Sequence, residues 1–152
     1  MRNRFLGCLS REIAIEYKAC LYFCCMLFFY FGYLLCTGRD SASILMMWEM
    51  ILTAYFVGDL QVYFLGNFDE SERLGRRENA AICLCSGIYI AASLFFGWFE
   101  GNIIATVLFF GYLLLCYVCV YLCNKVKRKI DTDKLNAMLT AYKESREYES
   151  GK

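Results

Sequence analysis

The sequence predicts an all-α membrane protein with four transmembrane helices, both termini in the cytoplasm, and a short amphipathic helix in the tail. Three observations predict it. First, 59% of the 152 residues are apolar. They fall into four blocks instead of being dispersed as in a soluble domain, which is closer to half apolar. Second, fifteen of the sixteen Lys and Arg residues lie on one side of those blocks, as the positive-inside rule demands of cytoplasmic segments. Third, there is no proline, so nothing in the composition breaks a long helix.

The blocks are residues 19–36, 44–65, 80–99 and 103–123. Each can cross about 30 Å of hydrocarbon at about 1.5 Å per residue. They are apolar on every face, which a lumen-lining β-strand is not. The chain therefore divides into a cytoplasmic segment (1–18), a four-helix membrane domain (19–123) and a basic, amphipathic tail (124–152). Arg11, Glu12, Glu16 and Lys18 crowd the start of the first block, and no small-residue cleavage site follows. A signal peptide is not expected. Leu6, Leu9, Ile13 and Tyr17 recur at helical spacing. They mark either a helix on the membrane surface or a helix leading into the first span.

The loops repeat the asymmetry. The connection between the second and third blocks carries Arg73, Arg76 and Arg77, and the tail carries Lys125, Lys127, Arg128 and Lys129 beside the membrane. Such a basic cluster attracts anionic headgroups by about 1 kcal/mol per residue. The opposite side has Arg39 alone. Its loops are short, residues 37–43 and 100–102, and the second of them is a tight Gly101-Asn102 turn. Beyond the exit of the fourth block, Val126 and Ile130 continue one helical face, while Leu135, Met138, Leu139 and Tyr142 lie about half a turn away. The phase shift falls at Asp131–Asp133, where Asp131 or Thr132 can cap a new helix. A jointed amphipathic helix is expected over 133–146. Its stripe needs cover from the membrane, the Arg73–Arg77 loop, a second copy or a soluble partner.

Glu49 and Asp59 are the ionisable groups within the second block, and intramembrane carboxylates invite a functional hypothesis. They stand about 15 Å apart along the axis and roughly 80° apart in projection, so they form no catalytic pair. Glu49, beside Trp48, suits the outer interface. Asp59, with Gln61, is expected to face the bundle and bond Tyr or Ser on the third helix. Gly87 and Ala91, with Gly97 and Gly111, are small residues that permit close helix contact, within the bundle or in a homodimer. The ten cysteines lie mostly in apolar runs, where Cys is a small hydrophobe. A disulfide framework and a metal site are not expected. No histidine is present, no phosphate loop or nucleophile–base pair is evident, and neither enzymatic activity nor a cofactor is anticipated.

"GWFEGN" at Gly97–Asn102 and "KRKIDTDKLNAML" at Lys127–Leu139 carry a resemblance. The chain resembles, over nearly its whole length, the bacterial four-span proteins known as domain of unknown function 3021. The matching features are a Gly-Trp at the third-to-fourth hairpin and a basic exit from the fourth helix followed by an Asp…Leu-Asn…Leu tail. What the resemblance implies is regulation. Members of that family accompany LytTR-type DNA-binding regulators, and some hold the regulator inactive at the membrane. The expectation is an anti-activator in the cell membrane, with loop and tail as its handle: Arg73, Arg76, Arg77, Lys127, Arg128, Lys129, Leu135, Met138, Leu139 and Tyr142. Direct nucleic-acid binding is not expected, because the basic residues hug the bilayer and acidic ones intersperse them. The rival is a small membrane transporter, or a subunit of a transport complex, working through Glu49 or Asp59.

Overall fold

The structure, a computed structural model, describes residues 2–66, 68, 71 and 75–150, with side chains from residue 8 to 143 and at 146 within those ranges. Four helices account for nearly all of it: α1 (Arg2–Cys36), α2 (Ile44–Tyr63), α3 (Arg76–Phe96) and α4 (Ile103–Ser150). No strand occurs among the described residues. Three segments, Cys8–Cys36 of α1, Arg76–Phe96 of α3 and Ile103–Lys143 of α4, are long and apolar enough to cross a membrane, as in a multi-pass membrane protein. α2 has the length, 20 residues, but Glu49, Asp59 and Gln61 dilute its hydropathy.

Two elements run on beyond their apolar blocks, and the second of them differs from expectation. α1 begins at Arg2 and passes Lys18 without a break, which selects the helix leading into the first span over the separate surface helix. Residues 2–18 therefore lead into the first apolar block, with Leu9, Ile13 and Tyr17 left on the exposed side. α4 passes Asp131–Asp133 unbroken and extends over 48 residues, about 72 Å at about 1.5 Å per residue. No joint separates the tail helix from the fourth apolar block. The physical reason is that Asp131 and Thr132 do not cap. The Thr132 hydroxyl bonds back to the Arg128 carbonyl at 2.9 Å, a bond compatible with a helix interior. Local capping preference loses to helical propagation in a stretch with no proline or glycine.

Helix ends follow local chemistry. α1 ends in Gly38 at φ 71°, with Arg39 N–H donating to the Leu34 carbonyl at 3.0 Å. At the start of α3, the Glu78 carboxylate accepts from Gly75 N–H at 2.9 Å. α3 ends at Gly97, φ 68°, the left-handed conformation glycine adopts without penalty. Asn102 caps α4: its Oδ1 accepts from Ala105 N–H at 3.2 Å.

The helices pack through stripes at three- and four-residue spacing. Ile15, Ala19, Tyr22, Met26, Tyr30 and Leu34 line the buried side of α1. Met50, Ala54 and Val57 line that of α2, and Phe109, Leu113 and Tyr117 that of α4. Between α1 and α2 the backbones approach at Gly58, where a Cβ would sit 3.5 Å from the Ile15 carbonyl and 3.9 Å from Ala19 N. The small residues expected to make such contacts do not. Gly87 and Gly111 have no atom within 4 Å of an added Cβ, and Ala91 is exposed. Gly97 serves a helix terminus, not a helix contact. Gly87 and Ala91 lie off the packed interior because the buried face of α3 runs through Ile82, Cys85, Ser86, Tyr89 and Ser93 instead, and Gly111 lies off it because that of α4 runs through Phe109, Leu113 and Tyr117.

At one end of the bundle lie the short 37–43 and 97–102 turns; at the other lie the described residues between α2 and α3 (64–66, 68, 71 and 75) and the projecting tail. Phe29, Phe99 and Phe109 form an aromatic knot at the short-turn end, with ring centroids 5.2–5.6 Å apart. At the tail end Phe68 is buried from the connection, its ring 5.7 Å from Tyr117.

Replacing Gly58 by Leu overpacks the α1–α2 seam and should lower unfolding stability in mild detergent by about 1–3 kcal/mol. Gly87→Leu and Gly111→Leu should stay within about 0.5 kcal/mol. Thermal denaturation followed by thiol-reactive dye checks all three. Equal effects at the three glycines would refute this packing.

Candidate functional site

The polar residues of α2 separate according to the face each occupies. Gly58 presses that helix against α1, and this sets its rotation. Gln61, three residues on, then points inward and is fully buried. Asp59 is carried to the outside and is exposed. The expectation that Asp59 faces the bundle together with Gln61 is therefore wrong: two residues on a helix are about 200° apart in projection. Glu49 is half-buried near the short-turn end. Its Oε2 accepts a bond from the Trp98 indole N–H at 3.3 Å, and Trp98 itself is 1% exposed. Glu49 and Asp59 are not brought together.

A polar interior was not anticipated. Gln61, Ser86, Tyr89 and Tyr117 are buried, and the Gln61 amide and the three hydroxyls make no hydrogen bond among the described residues. The Tyr22 ring lies 4.6 Å from that of Tyr117 and 6.4 Å from that of Tyr89, so α1, α3 and α4 meet through tyrosines. Lys18 is also buried, 2% exposed. Nothing in the local pattern announces it, because Lys18 adjoins the apolar block and reads as part of its charged flank. Among the described residues no three Cys, Asp or Glu side chains group as a metal site, and all ten cysteines are free thiols.

The short-turn end is laced together by polar contacts. Arg39 pairs with Glu100, joining the two turns. That hydrogen bond and charge hold the guanidinium above its ordinary pKa. Glu100 adopts φ 53°, a conformation uncommon outside glycine, and the pair pins it there. The Tyr33 hydroxyl donates to the Phe99 carbonyl at 3.2 Å.

At the tail end, Arg76 and Arg77 are exposed and Arg73 lies outside the described residues. Arg128 reaches the connection and donates to the Ser71 carbonyl at 2.8 Å, while Lys127 and Lys129 are exposed. Every residue from Lys129 to Lys143 is exposed. Leu135, Met138, Leu139 and Tyr142 present an apolar stripe to solvent, each more than half accessible. The loop and the root of the tail are thus adjacent, and the stripe stands clear of both.

No protein-family model matches the chain, and no curated protein or solved structure matches it either.

An unsatisfied buried amide costs about 1–3 kcal/mol. Gln61→Leu, similar in volume, should therefore raise the unfolding midpoint, by about 1 kcal/mol in stability, whereas Asp59→Asn should change it by less than about 0.5 kcal/mol. A marked loss in Gln61→Leu, seen by the same dye assay, would mean that the amide is bonded within the fold.

Proposed function

We propose that the chain is a multi-pass regulator of the cell membrane that binds and restrains a cytoplasmic DNA-binding transcription factor of the LytTR type. The observation that carries the partner-binding part is the uncovered stripe on an unbroken α4. At about 100° per residue, Leu135, Met138, Leu139 and Tyr142 lie roughly opposite Val126 and Ile130. One flat surface cannot cover both stripes of a single continuous helix. That argues against the bilayer as cover for the distal stripe, whose centre lies roughly 20 Å past Cys123 along the axis. The described part of the α2–α3 connection does not cover it either. A soluble partner or a second copy remains, and helix-in-groove docking reads just such i, i+3, i+4, i+7 anchors. The identity of the partner rests on the resemblance carried by Gly97–Asn102 and Lys127–Leu139. Arg76, Arg77, Lys127 and Lys129 are exposed at the tail end of the bundle, on the membrane side of the stripe, and suit an acidic rim on the partner.

Four crossings with both termini in the cytoplasm are part of the same reading. α2 packs antiparallel to α1 from Met46, against which the Tyr30 hydroxyl rests at 3.2 Å, to Tyr63, which meets Glu12 at 3.4 Å. A helix so paired shares the depth of its partner, and Gln61 is turned inward, away from the lipid-facing side. The distribution of Lys and Arg then sets the orientation.

Single-cysteine variants test the orientation. Cys36 should react with a membrane-impermeant maleimide in intact cells, and Cys8 and Cys123 only after permeabilisation. The reverse pattern would invert the protein. The regulatory reading is tested by tagging the N-terminus and identifying what co-purifies from native membranes. A LytTR-type regulator should come down with the full chain and be lost, along with at least 90% of the signal, from a chain ending at Asn124 and from a Leu135→Ser, Met138→Ser, Leu139→Ser triple variant. Target transcription should rise in both. Recovery of the chain alone, with transcription unchanged, would overturn the reading.

A further inference from the structure

On the side of the bundle away from α1, α2 and α3 touch sparsely and leave a groove of about 600 Å³ between them. Glu49, Leu52 and Phe56 form its α2 wall and Ile88, Ala92 and Phe95 its α3 wall. The walls are complementary in size. Ala92 leaves the space into which Leu52 and Phe56 do not reach, and their outer portions stay exposed. Glu49 is the sole charged residue of the lining. It stands at the short-turn end, and the groove runs from it along roughly 10 Å of α2 to Phe56.

We infer that this groove binds a drug-sized, lipophilic organic cation, with its charge at the Glu49 carboxylate and its apolar groups against Leu52, Phe56, Ile88, Ala92 and Phe95. Four observations choose this occupant. The volume falls within the range of small-molecule sites, roughly 300–1,000 Å³. The carboxylate has no ion pair among the described residues, and Arg39 on the short-turn side pairs with Glu100. Its one hydrogen-bond donor is the neutral Trp98 indole, which orients the carboxylate and leaves its charge uncompensated. Finally, the aromatic side chains of Phe56 and Phe95 line the walls, and Phe96, also lining the groove, stacks at 10° and 6.3 Å on Trp98. Such rings attract cations.

The same chemistry excludes smaller cations. A metal ion needs several oxygen ligands, and the groove offers one carboxylate. A primary ammonium is strongly hydrated and must shed that water beside apolar walls. A quaternary ammonium or phosphonium spreads its charge under apolar substituents and loses little. The inference concerns binding, and it stands whether or not the α4 tail engages a transcription factor.

Tetraphenylphosphonium is the probe. The full chain, purified in mild detergent, is titrated with the labelled cation in equilibrium dialysis. In parallel, Trp98 fluorescence is followed in a Trp48→Phe background, which leaves Trp98 as the reporter. Saturable binding at one site per chain is expected, with a concentration-dependent change in Trp98 emission. Glu49→Gln keeps an oxygen acceptor for the indole but removes the charge, and should weaken binding at least about tenfold. Ala92→Phe fills the groove from the other wall and should do the same, without touching the carboxylate. Asp59→Asn, on the exposed side of α2 outside the groove, should bind as the parent does. Two outcomes overturn the inference. One is non-saturable uptake, or uptake indifferent to both Glu49→Gln and Ala92→Phe, which is partition into the micelle. The other is an Ala92→Phe chain that changes from dimer to monomer by light scattering while binding is unaffected, which would make the groove a contact between two copies.

Discussion

The approach of α2 to α1 at Gly58 decides more of this molecule than any other contact. A Cβ there would rest in ordinary van der Waals contact with the Ile15 carbonyl and the backbone of Ala19, so the seam takes a small residue at position 58 and has no room for a long one, and α2 packs with this face toward α1. With that rotation set, the three polar residues of α2 have no further choice. Gln61 is turned in among the tyrosines, Asp59 is turned out, and Glu49 is delivered to the Trp98 indole at the edge of the α2–α3 groove. In apolar surroundings helix association gains little from hydrophobic burial and depends on close packing. A small residue at the seam therefore bears directly on how closely α1 and α2 pack.

The two ends of the bundle are built on different principles. The short-turn end is closed by specific polar contacts: Arg39 with Glu100, Glu49 with Trp98, and Tyr33 with the Phe99 carbonyl. These join both turns to α1 and α2 over a knot of phenylalanines. The tail end is closed by Phe68 folding in against Tyr117, and by Arg128 reaching back to Ser71. Past that point the residues of α4 from Lys129 to Lys143 are exposed. Its apolar stripe from Leu135 to Tyr142 is held out on an unbroken helix, which is costly for a soluble surface unless something is there to receive it.

The continuity of α4 also changes what the tail can do. A jointed helix could fold back onto the membrane or the basic loop. An unbroken one transmits rotation and tilt of its apolar segment directly to the distal stripe, because helical hydrogen bonds resist bending where no proline, glycine or bulge interrupts them.

The sequence by itself determined the helical class, the four apolar blocks and the turns at Thr37–Ser43 and Gly101-Asn102. Apolar block length, absent prolines and the glycines are local properties, and they act wherever the chain folds. It also marked the exposed stripe, whose periodicity is visible in the residues alone. It did not reveal that the stripe rides on α4 without a joint, since Asp131 and Thr132 cap or propagate a helix depending on competition with their neighbours. The rotation of each helix was likewise decided only in three dimensions. Gly87, Ala91 and Gly111 look as good a contact face as Gly58 does, and Asp59 looks as inward as Gln61. The α1–α2 seam chose between them, because packing is a property of pairs of helices and no single helix encodes it.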